Sequence, residues 1–196
     1  MEIIQHIDDW FFSQINGLAG QSPWLDTPAR LFMNDYFVAT LMAIILLALW
    51  FESTRIMVRI NNQRAVLVGA LSALLANIVV KTINLFYFHP RPFHRLEVNL
   101  LFYQPHDSSL PSNAAALGFS IAAGVWFYQQ KWGWLLLTIA ALFAMSRIFG
   151  GVHTPLDVLC GVAVGVGSAC VVKQQKFFTA TLLDITLKLN AKLRLP

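Results

Sequence analysis

The sequence predicts an all-α fold: a polytopic transmembrane helical bundle of five to six membrane helices, with interfacial helices beside it. Three observations predict it. Of 196 residues, 57% are hydrophobic and 12% are charged, and mean hydropathy is +0.59. A soluble domain carries about twice that charged fraction. Five apolar segments, roughly 36–52, 64–88, 112–130, 133–150 and 155–173, follow one another. Most reach the ~20 residues needed to cross a bilayer. Five such segments in so short a chain leave no polar surface for a soluble fold. We therefore expect one domain over 1–196, with interfacial helices in 1–34, a transmembrane core over 36–173 and a cytoplasmic amphipathic tail over 174–196.

In the first part, Ile3, Ile4, Ile7, Trp10, Phe11 and Ile15 recur at helical spacing against Glu2, Asp8 and Asp9. That pattern predicts an amphipathic helix lying in the interface. It has neither the basic start nor the small-residue cleavage site of a signal peptide. Gly17 to Pro23 break it, and Trp24-Leu25-Asp26 begin a second short helix. The segment Leu41 to Trp50 carries no charge. The last apolar segment carries Gly161-x-x-x-Gly165, a spacing that lets helices approach closely. Cys160 and Cys170 have neither metal-ligand nor redox spacing and read as buried small apolar residues. In the tail, Leu182, Leu183, Ile185, Leu187 and Leu189 predict a helix on the inner leaflet surface.

The basic residues divide by side if all five segments span. The 53–63 loop with Arg64, the turn at Lys131 and the tail hold nine: Arg55, Arg59, Arg64, Lys131, Lys173, Lys176, Lys188, Lys192 and Arg194. The other side holds Arg30, Arg91 and Arg95, with Lys81 and Arg147 near its helix ends. The positive-inside rule makes the first side cytoplasmic. The net charge of +4 then reflects membrane topology and calls for no nucleic-acid partner. Membrane lipids are the expected surroundings, and an oligomer is compatible with the sequence.

The chemistry concentrates in Ser146-Arg147-Ile148-Phe149-Gly150-Gly151-Val152-His153-Thr154-Pro155-Leu156-Asp157. A guanidinium, an imidazole and a carboxylate stand between two apolar segments, where ionisable groups mark function. Thr154-Pro155-Leu156-Asp157 reads as a helix start, with Thr at the cap and Pro at the first position. A tight turn there would let Asp157 reach a His153 nitrogen. Two further pieces fall on the same expected face: His89-Pro90-Arg91-Pro92-Phe93, within the long polar connection 89–111, and Leu110-Pro111-Ser112-Asn113. Ser112 reads as an N-cap, so the amides behind it, near Asn113 and Ala114, form an anion site.

These three pieces, in this order, resemble the type 2 phosphatidic acid phosphatase superfamily of membrane lipid phosphatases. Its motifs are Lys-x6-Arg-Pro, Pro-Ser-x-His and Ser-Arg-x5-His-x3-Asp. The third matches in full at Ser146, Arg147, His153 and Asp157. The first matches at Arg91-Pro92, but Asn84 stands where lysine is expected, with Lys81 one helical turn earlier. The second matches at Pro111-Ser112, with Ala114 at the histidine position. Within the superfamily the chain resembles the short bacterial undecaprenyl-diphosphate phosphatases, through its size, Tyr87-Phe88-His89-Pro90-Arg91-Pro92-Phe93, Ile15-Asn16-Gly17 and Trp24-Leu25-Asp26.

The resemblance implies a phosphatase of the bacterial plasma membrane, with its site facing outward and its C-terminus inside. It would recycle a polyprenyl diphosphate lipid carrier for cell-wall synthesis. His153 would be the nucleophile, forming a phosphohistidine, and Asp157 would orient it. Arg91, Arg147 and Ser112 would stabilise the transferring phosphoryl group. Lys81, Asn84, Asn113, Ala114 and Ser146 would complete substrate binding. Neither a cofactor nor a metal is implied. Ala114 cannot protonate a leaving group; His106 or His94 are alternative acids on the long loop. Ala114 fits either a His-to-Ala substitution that captures an inactive, substrate-bound form or a natural lipid-phosphate binder without turnover, and the intact third motif favours the former. Other substrates in the class are phosphatidylglycerophosphate and phosphatidic acid. A non-catalytic lipid-phosphate binding or transport protein is the competing class.

Overall fold

A computed structural model describes residues 2–175, 179–185 and 188. They form seven α-helices: α1 (Glu2–Asn16), α2 (Pro23–Met33), α3 (Asp35–Phe51), α4 (Ile56–Phe86), α5 (Asn113–Trp126), α6 (Gln130–Phe149) and α7 (Pro155–Gln174). Among the described residues there is no strand. Residues 179–185 are also helical, while Lys176, Leu187, Leu189, Lys192 and Arg194 of the expected tail lie outside the described residues.

Of the five to six spans expected, three to four are met by length and apolarity. Three helices, α4, α6 and α7, are long and apolar enough to cross a membrane. A fourth span results if α2 and α3, bent by 66° at Asn34, are counted as one. Asn34 caps α3 at that bend, its side chain accepting from the Tyr36 and Phe37 amides. At 14 residues, α5 is shorter. It is central to the bundle, touching α4, α6 and α7, and ten of its residues are buried. A helix enclosed by protein need not match the ~30 Å hydrocarbon thickness, so apolarity over 112–130 overstated its length. The 53–63 loop is also corrected: α4 starts at Ile56 and carries Arg59 and Arg64 on its first turns.

Glycines bring α7 onto α5. A Cβ at Gly161 would lie 2.4 Å from the Ser112 carbonyl oxygen and 2.9 Å from Ala115 Cβ; at Gly165 it would lie 2.6 Å from the Ala116 carbonyl oxygen. Nothing lies within 4 Å of a Cβ at Gly167. Cys160 and Cys170 are half-buried rather than buried, because Gly161 and Ala169 take the inward positions beside them. The Gly161 contact sets the separation between the starts of the two helices that carry the candidate site. Gly161→Ala is expected to destabilise the protein by about 1–3 kcal/mol, read as a lower unfolding temperature in detergent. Gly167→Ala should leave that temperature unchanged; an equal loss from both would show that the α5–α7 contact is not tight.

Outside the bundle, α1 keeps Ile3, Ile4, Ile7, Trp10 and Phe11 exposed and turns Asp8, Phe12 and Asn16 inward. Asn16 is buried; its amide donates to the Phe149 carbonyl at 2.8 Å and the Asn99 carbonyl at 3.0 Å, and its oxygen accepts from Asn99 N. Asp8 accepts from Leu156 N at 2.8 Å, at the first turn of α7. The exposed apolar residues of α1 therefore suit an interface, while Asp8 and Asn16 fasten the turn between α6 and α7.

Candidate active site

The α6–α7 turn begins where Gly150 ends α6 and Gly151 takes a positive φ of 85°. A side chain is strained there, and a Cβ would also lie 2.3 Å from Val98 Cγ1. The Arg147 carbonyl accepts from Val152 N at 3.1 Å and His153 N at 3.3 Å, folding the loop back over α6. Thr154 then caps α7. Its hydroxyl accepts from Asp157 N, and the Asp157 carboxylate accepts from Thr154 N at 2.8 Å, forming a capping box. His153 is thereby pinned between two helix ends, and it is 5% exposed.

The expected direct contact between Asp157 and the imidazole is longer than a hydrogen bond. Asp157 Oδ2 lies 3.7 Å from His153 Nδ1, an ion-pair separation. Ser109 fills the gap: its Oγ donates to Asp157 Oδ2 at 2.5 Å and lies 3.3 Å from His153 Nδ1. This serine is fully buried. It lies in the long loop, where its amide donates to the His89 carbonyl at 2.9 Å. The sequence singled out that loop but gave no sign that Ser109, rather than Ser112, would face the imidazole.

On the other side of the ring, Arg91 Nη1 lies 3.3 Å from His153 Nε2. A guanidinium only donates, so Nε2 is the acceptor and Nδ1 carries the proton. Nδ1–H, Ser109 O–H and the Asp157 carboxylate form one directed chain. Burial, the leading cause, pushes the His153 pKa below its ordinary 6.5, and the Arg91 charge acts the same way.

Arg91, Arg147 and His153 line one cavity of about 390 Å³, together with Asn113, Ala114, Asp35, Tyr36 and Asp107. Arg147 is 4% exposed, pairs with Asp35, and has its guanidinium carbon 4.8 Å from the Phe102 ring centre and 4.7 Å from that of Phe143. Asn113 and Ala114 begin α5, whose N-terminus is capped by Ser112. Such an end presents amide donors to an anion. Five expected site residues are thus brought together: Arg91, Asn113, Ala114, Arg147 and His153.

The others stand differently. Asp157 meets the imidazole through Ser109. Ser112 is fully buried behind the cavity, where its amide donates to the Asp157 carbonyl at 2.9 Å. Ser146 donates back to the Phe143 carbonyl at 2.7 Å. Lys81 is exposed and Asn84 half-buried on α4, and neither lines the cavity. His94 and His106 are exposed and also lie outside its lining. Among the described residues, no three His, Cys, Asp or Glu side chains are grouped as metal ligands.

The sequence profile of the PAP2 superfamily matches residues 66–180. The chain belongs to the PAP2 superfamily. Among relatives, the bacitracin transport permease protein BcrC of Bacillus licheniformis is 34% identical, over 88% of this chain and 80% of that protein. The undecaprenyl-diphosphatase BcrC of Bacillus subtilis is 31% identical, over 79% of this chain and 77% of that protein. The crystal structure of Aquifex aeolicus LpxE superposes with a TM-score of 0.65 at 28% identity, covering 84% of this chain and 93% of that one. Family, fold and apolar helices together make the chain a multi-pass membrane protein of the PAP2 type.

Proposed function

We propose that the chain is a lipid-diphosphate phosphatase that converts undecaprenyl diphosphate to undecaprenyl phosphate and inorganic phosphate. The observation that carries this reading is the convergence of Arg91, Arg147 and the α5 N-terminus on the cavity that holds His153. Relatives named undecaprenyl-diphosphatase support the choice of substrate. In the first step His153 Nε2 attacks the terminal phosphorus. The bond from phosphorus to the bridging oxygen breaks, and its electron pair leaves with the polyprenyl phosphate. The Nδ1 proton stays on the imidazolium, held through Ser109 by Asp157. Arg91 and Arg147 neutralise the equatorial oxygens. Water then attacks the phosphorus, the electron pair of the phosphorus–nitrogen bond returns to Nε2, and the water proton leaves with phosphate.

The leaving group suits a site with Ala114. A polyprenyl phosphate departs as an anion of modest basicity, whereas the alkoxide from a phosphate monoester must be protonated. Phosphate release from a polyprenyl diphosphate, compared with phosphatidic acid and phosphatidylglycerophosphate, tests the assignment. Release from none of them would leave the second reading, a lipid-phosphate binder or transporter. Ala114 and the permease name of one relative support that reading.

Attack requires the neutral imidazole. Because burial lowers its pKa, kcat/KM is expected to rise with pH along an acid limb whose midpoint lies below 6.5. A midpoint above that value would show that His153 is stabilised in its charged form.

The site is assigned to the periplasmic side of the bacterial plasma membrane, on the nine-to-three division of basic residues, with α5 running from Asn113 at the cavity towards Gln129, which lies with Glu52 and Lys131 away from it. A C-terminal reporter enzyme that works only in the periplasm should be silent. An active reporter would invert the topology and rule out recycling at the outer face.

A further inference from the structure

Both arginines of the cavity already hold a carboxylate. Arg91 Nη2 pairs with Asp107 Oδ1 at 2.7 Å, and Arg147 Nη2 pairs with Asp35. The partners differ sharply in burial. The arginine side chains are 5% and 4% exposed, whereas Asp107 is 66% exposed and Asp35 49%. Each carboxylate reaches in from the rim and lines the same cavity as its arginine. Neither belongs to a residue pattern that the chemistry requires.

The remaining donors of Arg91 are also engaged. Nε donates to the Asp107 carbonyl at 3.2 Å and Nη1 to the Val152 carbonyl at 2.9 Å. Nη1 also points at His153 Nε2, the atom whose lone pair must attack. In this state the guanidinium covers the nucleophile while Asp107 grips it from the side of the long loop.

We propose that Asp107 and Asp35 are positioning residues that occupy the phosphate-binding arginines and keep the nucleophile masked until an anion displaces them. A carboxylate and a phosphoryl group present similar oxygen pairs to a guanidinium, so the exchange preserves the arginine's charge pairing. When phosphate oxygens take over from Asp107, Arg91 turns towards them and Nε2 is freed. Arg91 keeps its tether to the Val152 carbonyl, on the loop that carries His153, so it need move only locally. The ligand must be anionic enough to compete with two carboxylates, which favours a diphosphate over a neutral or singly charged headgroup. The proposal rests on the phosphate-binding reading of the cavity.

The test uses the full-length protein in detergent, with inorganic phosphate as the probe. His153 is carbethoxylated by diethyl pyrocarbonate and its modification is followed at that residue by mass spectrometry. Half-protecting phosphate concentrations are compared for the wild type, Asp107→Asn and Asp35→Asn. Hydrolysis of a polyprenyl diphosphate is measured on the same samples. Both variants should need about two- to fivefold less phosphate, the range set by a half-exposed ion pair, and KM should fall more than kcat changes. His153 in Asp107→Asn should also be modified faster without phosphate. If the carboxylates merely hold the arginines in place, their loss weakens phosphate protection and raises KM, which overturns the proposal. Unchanged protection in both variants, or no protection in any form, overturns it as well. Absence of turnover in the wild type would count against the phosphatase reading alone, since phosphate protection of His153 needs no hydrolysis.

Discussion

Replacing Ala114 by histidine raises polyprenyl diphosphate turnover by about 10²–10⁴-fold, the usual contribution of a general acid, and changes binding much less. The residue lies in the first turn of α5, is 8% exposed, and lines the cavity with His153. An imidazole there would reach the leaving oxygen; a methyl group cannot. Binding is retained because Arg91 and Arg147 are untouched. With a long-chain alkyl monophosphate as substrate, the gain should reach the upper part of that range, because an alkoxide cannot leave unprotonated. The measurement is phosphate release at fixed pH and detergent, with kcat and KM separated. Equal rates with Ala and His at 114 would mean that another group supplies the proton or that chemistry is not the slow step.

His153→Ala, made in the Ala114→His background, returns phosphate release to the rate without enzyme. The nucleophile is then gone, while both arginines and the α5 N-terminus remain. Inorganic phosphate should still bind, which separates lost chemistry from lost folding. Acid-labile phosphate should be trapped on His153 in the parent protein and on no residue of the variant. Residual turnover well above background would show that water attacks phosphorus directly, with the arginines sufficient to hold it.

Much of the site was legible because its determinants are local. Thr154, Pro155 and Asp157 form the start of α7 through contacts within four residues, with Thr154 at the cap and Pro155 at the first position as read. Ser112 caps α5 for the same reason. The burial of Ser109, which joins His153 to Asp157, depends on where a long irregular loop passes beneath α7, and no periodicity reports that. Nor does spacing along α4 report that Lys81 is exposed and outside the cavity lining.

The sequence by itself determined the membrane class and the helix starts that carry Ser112 and Thr154. Each follows from hydropathy or from hydrogen bonds between near neighbours. Only the tertiary structure decided the helix lengths, with α5 at 14 residues enclosed by its neighbours. It also decided the partners of the charged groups. Asp8 meets Leu156, Asp35 meets Arg147, and Asp107 meets Arg91 across 16 residues or more of sequence. Contacts at such separations are made by helix packing and loop path, which bring distant residues together only once the bundle has closed.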